Sequence, residues 1–222
     1  MTTIFTSLLF ALHVALILLT LGALQPIDRA AQLLAYSAAV RVSILAHCVR
    51  LYRRTPPPAT PSLEGLTSWV KQAGATTEGF YIFVDFLLLS NPAGSLALTS
   101  QSILAVYHAA SYTQGVNIGP LNSLRKKLTT YQPQALLIMG LCDVGAALQL
   151  LLAASIGGAG LRGLVQTLVY SNLLRQRSLA ASSTPECSYY STTWGYLGST
   201  PIGAMAKQLP FFGILSRWFQ SA

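Results

Sequence analysis

From Ile4 to Leu24 the chain runs without a single Asp, Glu, Lys or Arg. Such a run limits the possible folds severely, because a bilayer core about 30 Å thick needs about 20 apolar residues per helical crossing. The run is also long for a signal-peptide core. No Lys or Arg precedes it, and Leu21-Gly22-Ala23 is a poor cleavage site, so a retained first helix is expected. Only 9% of the 222 residues are charged and 52% are hydrophobic, against about 25% charged in a soluble domain. An integral membrane protein is the reading that fits.

The apolar segments come in pairs. After Ile4 to Leu24, the turn Gln25-Pro26-Ile27-Asp28-Arg29 leads into a second helix over 30–49. Pro56, Pro57, Pro58 and Pro61 then favour an extended linker, and helical pattern resumes near Leu63 with Trp69 placed for an interface. The stretch Phe80 to Tyr112 is too long for one crossing and is punctuated by Asn91-Pro92-Ala93-Gly94, predicting helices over 76–90 and 95–113. A fifth helix is expected over 133–155, with Pro133 at its first turn, and a sixth over 161–174 beyond Gly157-Gly158-Ala159-Gly160. The expected fold is all-α: three helical hairpins in one domain over 1–178, then a polar loop over 179–209 and an amphipathic helix over 210–220. The third and sixth helices are short for full crossings, which leaves open whether they span the bilayer or wedge into it.

Charge sets an orientation. The net charge is +8, and all of the fourteen Lys and Arg except Arg29, Arg41 and Arg162 fall in the proposed inner loops and ends. By the positive-inside rule both termini are then cytosolic. Arg53, Arg54, Arg125, Lys126 and Lys127 are the residues expected to meet anionic headgroups. No aromatic-basic surface pattern suggests nucleic acid as a partner. In the closing helix Phe211, Phe212, Leu215, Trp218 and Phe219 would share one face, which suits the membrane surface better than packing on a bundle rim.

Ionisable residues deep in a membrane carry a functional hypothesis by default. Arg41 falls near the middle of the second helix, Asp143 near the middle of the fifth and Asp85 in the third, with Glu78 near its start. A buried structural pair is expected between Arg41 and Asp143, with Asp85 as second choice. The sharper alternative is a proton or ion route using Asp85, Asp143 and a histidine, yet no Gly- or Pro-broken helices bracket a midplane site. His13, His47 and His108 are each isolated in sequence, without a second His or Cys at metal-ligand spacing. Cys48, Cys142 and Cys187 form no framework and are expected to be free, mostly buried thiols. The glycine turn lacks a P-loop Lys, and neither G-x-S-x-G nor H-E-x-x-H occurs. No enzyme, cofactor, metal or small-molecule substrate is expected.

Three blocks carry a family likeness: Ser37-Ala38-Ala39-Val40-Arg41-Val42 running into Arg50-Leu51-Tyr52-Arg53, then Tyr107-His108-Ala109-Ala110-Ser111-Tyr112-Thr113, then Leu121-Asn122-Ser123-Leu124-Arg125-Lys126-Lys127-Leu128. In order and spacing the chain from about Ala30 to Cys187 resembles the transmembrane protein 33 family, also called the Krüppel homologue 2 family, whose fungal members associate with nuclear pores. The resemblance implies a non-enzymatic protein of the endoplasmic reticulum and nuclear envelope, linked to membrane shaping, reticulon-type partners and pore distribution. The residues alone leave two other readings open: a small channel or transporter, and an accessory subunit of a larger membrane complex. In each of them the partners are lipid and other membrane proteins.

Overall fold

A computed structural model describes residues 2–25, 28–60, 62–89, 95–115, 118–156, 160–180 and 189–201. Every regular element among them is a helix: α1 (Thr2–Leu24), α2 (Arg29–Arg54), α3 (Leu63–Ala75), α4 (Thr77–Leu88), α5 (Ser95–Tyr112), α6 (Gly119–Thr130), α7 (Gln132–Ser155), α8 (Gly160–Ala180) and α9 (Tyr189–Ser199). Three of them are long and apolar enough to cross a membrane: Ile4–Leu24 within α1, α2 and α7. The chain divides into two units, Met1–Thr130 and Tyr131–Ala222, inside the stretch expected to form one hairpin domain.

Local chemistry explains where the helices begin. Asp28 accepts the amides of Ala30 and Ala31 at 3.1 and 3.3 Å and so starts α2. Ser62 caps α3 through the Gly65 amide, and Thr76 caps α4 through the Gly79 amide, both at 3.0 Å. Only Thr76 separates α3 from α4. The corner is so tight that a Cβ at Gly79 would collide with the carbonyl of Ala73. Pro133 stands in the first turn of α7, as its missing amide hydrogen allows.

In the first unit α2 packs on both α1 and α4, while α5 packs on α1. The buried faces mix apolar with small and polar residues: α1 buries Leu9, His13, Leu16 and Thr20, and α2 buries Tyr36, Ala39, Val40, Ser43, Ala46, His47 and Leu51. Lipid tails are as apolar as leucine, so small residues and polar contacts, rather than exclusion of water, hold such helices together. The middle pair differs from a simple hairpin. α4 and α5 are tied by side-chain hydrogen bonds, but each has its main packing elsewhere, α4 on α2 and α5 on α1.

The second unit holds α7 packed on α8, with α9 laid mainly against α7. Here the outcome departs from the expected polar loop over 179–209. Tyr189, Tyr190, Thr193 and Leu197 recur at helical spacing, and Tyr189, Tyr190 and Thr193 are buried. Two basic segments expected as inner loops or ends are also helical. α6 carries Arg125-Lys126-Lys127, and α8 continues past residue 174 to enclose Arg175 and Arg177, with Arg177 buried. The closing helix expected over 210–220 lies outside the described residues.

Candidate functional site

The ion pair of the first unit stands at the end of α2, not at its middle. Glu78, in the first turn of α4, is buried. Arg50 donates to its Oε1 through Nε and Nη2 at 3.2 and 3.1 Å, and Arg54 Nη1 approaches Oε2 at 3.5 Å. Arg50 Nη1 also donates to the Tyr112 hydroxyl at 2.9 Å, which brings in the end of α5. The Tyr112 ring meets His13 of α1 edge-on at 5.6 Å. Arg50 thus joins α2 to α4 and α5, and the Tyr112 ring adds a contact with α1. A buried carboxylate needs such donors, since leaving it unpaired costs several kcal/mol.

A second cluster lies within the helices. Gln101 Nε2 of α5 donates to Asp85 Oδ1 of α4 at 2.8 Å, and the Ser43 hydroxyl of α2 donates to Gln101 Oε1. One turn along α2 from Ser43, His47 stacks on Tyr81 at 5.2 Å, and the Tyr81 hydroxyl lies 3.3 Å from Ser100 Oγ. Ser102 donates to Thr20 at 2.7 Å and joins α5 to α1. The amide of Gln101 is the pivot, because it accepts from one helix and donates to another.

In the second unit Asp143 is fully buried. Tyr190 donates to its Oδ2 at 2.7 Å and Tyr170 to its backbone carbonyl at 3.2 Å. Gly140, one turn before, makes room for this: a Cβ there would run into the Thr193 side chain. Trp194 donates to Ser178 at 3.0 Å and ties α9 to α8.

For Arg41 the second-choice partner, Asp85, is engaged elsewhere. Arg41 is exposed, and Asp85 takes its hydrogen bond from Gln101 instead, because that amide stands at its level on α5. Asp143 lies in the other unit, enclosed by tyrosines of its own helices. Asp85 and Asp143 each sit in a hydrogen-bonded cluster within their own unit. His13 and His108 are brought together edge-on at 5.3 Å despite their separation in sequence. No group of three His, Cys, Asp or Glu that could hold a metal occurs among the described residues. Cys48 is exposed rather than buried, and Cys142 is half-buried.

The basic residues sort into two kinds. Arg54 reaches Glu78, and Arg125 donates to the carbonyl of Thr113 at 3.0 Å, closing the end of α5. Arg53, Lys126 and Lys127 are exposed. The helices beside them share a pattern that sequence reading missed. α3 presents Leu63, Leu66 and Val70 on its outer side, and α6 has Leu121, Leu124 and Leu128 at the same i, i+3, i+7 spacing, with Leu124 exposed. Both helices lie at the Arg50–Glu78 end, since α3 connects α2 to α4 there and α6 follows the end of α5 that Tyr112 fastens to Arg50. The signal was present as two three-residue apolar stripes, too short to register as crossings.

A family model described as Transmembrane protein 33/Nucleoporin POM33 matches residues 1–187, taking in α1 as well as the segments that carried the likeness in sequence. No curated protein and no solved structure matches the chain.

Proposed function

The chain belongs to the Transmembrane protein 33/Nucleoporin POM33 family, and from that premise we propose that it is a non-enzymatic protein of the endoplasmic reticulum and nuclear envelope that shapes membrane from the cytosolic side. The observation that carries the proposal is the crowding of one end of the first unit. α3 lies there with Leu63, Leu66 and Val70 turned outward and α6 with Leu124 exposed, beside exposed Arg53, Lys126 and Lys127. α4 has 12 residues and so extends about 18 Å, well short of a bilayer core about 30 Å thick. More helix is then inserted into the leaflet at the basic end than into the other, and that asymmetry favours curvature. Each exposed cation adds about 1 kcal/mol near an anionic surface. Phe211, Phe212, Leu215, Trp218 and Phe219 would add a further surface anchor.

Reconstitution tests this directly. The full chain in vesicles containing phosphatidylserine is expected to narrow or tubulate them in electron micrographs. A variant with Leu66→Asp and Leu124→Asp should insert equally but leave the vesicles round. Unchanged vesicles with the wild-type chain, or full activity in the variant, would remove membrane shaping from the account. The proposed topology, three hairpins entering from the cytosolic side with both termini cytosolic, has its own test. Single cysteines at Asp28, Asn91 and Gly158 should be labelled in sealed microsomes only after the membrane is opened.

A further inference from the structure

Arg41 presents a charge at the middle of a membrane-crossing helix, on its outer face. In α2 (Arg29–Arg54) it stands 12 residues from one end and 13 from the other, about 18 Å from each. Snorkelling to the headgroups serves long side chains near helix ends, not at this depth. The membrane midplane therefore calls for an anion beside Arg41.

Of the six acidic residues, the five that lie among the described residues each stand elsewhere or are engaged by other groups. Asp28 caps α2 at its far end, and Glu64 lies in the first turn of α3 beyond the membrane-crossing helix. Glu78 is held by Arg50 and Arg54, Asp85 by Gln101 and Asp143 by Tyr190. Glu186 follows the last long apolar stretch, within Ser-Thr-Pro-Glu-Cys.

The face around Arg41 has the form of a helix-packing seam. Leu34, Ala38, Arg41, Leu45, Cys48 and Tyr52 succeed one another in alternating steps of four and three, the spacing of a two-helix seam. All but the half-buried Ala38 are exposed. Ala38, with Ser37 beside it, is small enough to let another helix come close. We propose that this face of α2 binds a transmembrane helix of a different protein, one that carries an Asp or Glu at mid-membrane depth. A second copy of the chain fits poorly, because a symmetric parallel pair would set two Arg41 side chains at the same level. The inference needs only that α2 crosses the bilayer, and stands or falls apart from membrane shaping.

A test uses the full chain, donor-labelled at its N-terminus, in phosphatidylcholine vesicles. The probes are acceptor-labelled single-span Leu/Ala helices with Asp, Lys or Leu at the centre. Energy transfer should show the Asp helix associating about 3- to 20-fold more tightly than the Leu helix, the range seen for polar contacts between membrane helices. Arg41→Leu should abolish that preference and Arg41→Lys should keep most of it. Arg41→Glu should transfer the preference to the Lys helix. If Arg41 were satisfied by lipid phosphate, the wild-type chain would bind Asp and Leu helices alike, and the proposal would be overturned. A preference that persists in Arg41→Leu, or fails to transfer in Arg41→Glu, would overturn it equally.

Discussion

The two units bury acidic side chains by different means. In the first, Glu78 is met by two arginines and Asp85 by an amide, with partners drawn from helices far apart in sequence. In the second, the Asp143 carboxylate is met by the hydroxyl of Tyr190 on α9, which lies beyond the end of the family match. A guanidinium at the bundle end can remain partly hydrated and still pair, whereas a fully enclosed carboxylate needs a neutral donor already fixed in place. The first unit therefore depends on charge at its rim and the second on the docking of one short helix.

Removing charge at the rim should cost the most. Glu78→Leu leaves Arg50 and Arg54 without their carboxylate, and about 3 kcal/mol of stability is expected to be lost. Hydrogen exchange on detergent-solubilised protein should show the loss in α2, α4 and α5 while α7 and α8 keep their protection. Uniform loss across both units would mean that they do not unfold separately. Asp85→Asn sharpens the contrast, since Gln101 can still donate to the new carbonyl oxygen and no cation is left unpaired. Its effect should stay within about 0.5 kcal/mol, as for a substitution that keeps its hydrogen bond. A loss as large as that of Glu78→Leu would place an undetected cation beside Asp85.

Next in size is the docking of α9. Gly140→Leu drives a side chain into the space of Thr193, and overpacking of this kind costs about 1–3 kcal/mol. Limited proteolysis should cut near Tyr189 in this variant and not in the wild type, with the first unit untouched. Unchanged resistance would show that α9 is held by something other than its contact with α7.

These contrasts also show what could be read from sequence. α1, α2 and α7 were legible because a long uncharged run has one meaning in a bilayer, and the Pro and Gly turns marked most of the breaks. The ion pair was not. Depth along the helix points to Arg41, whereas Arg50 and Glu78 lie near helix ends and meet only because α2 and α4 pack side by side. α9 was lost for another reason: its buried face is made of Tyr and Thr, which score as polar, yet their rings and methyl groups pack like apolar ones. α6 was read as a basic loop because the charges of Arg125, Lys126 and Lys127 outweighed three leucines at helical spacing.

The loss of a single hydroxyl is the most informative about Asp143. Tyr190→Phe removes one hydroxyl and leaves the ring, so packing against Tyr189 at 4.4 Å is preserved. Hydrogen bonds between membrane helices average about 0.6 kcal/mol, with a maximum near 1.7, because the unfolded chain in lipid also finds partners. A bond to a buried carboxylate belongs toward the upper end of that range. Tyr190→Phe in an Asp143→Asn background then separates charge from docking. If the hydroxyl acts through the carboxylate, the double variant should lose less than the sum of the two single ones. Strict additivity would mean that Tyr190 holds α9 by its ring alone, and that Asp143 draws its stability from elsewhere in the unit.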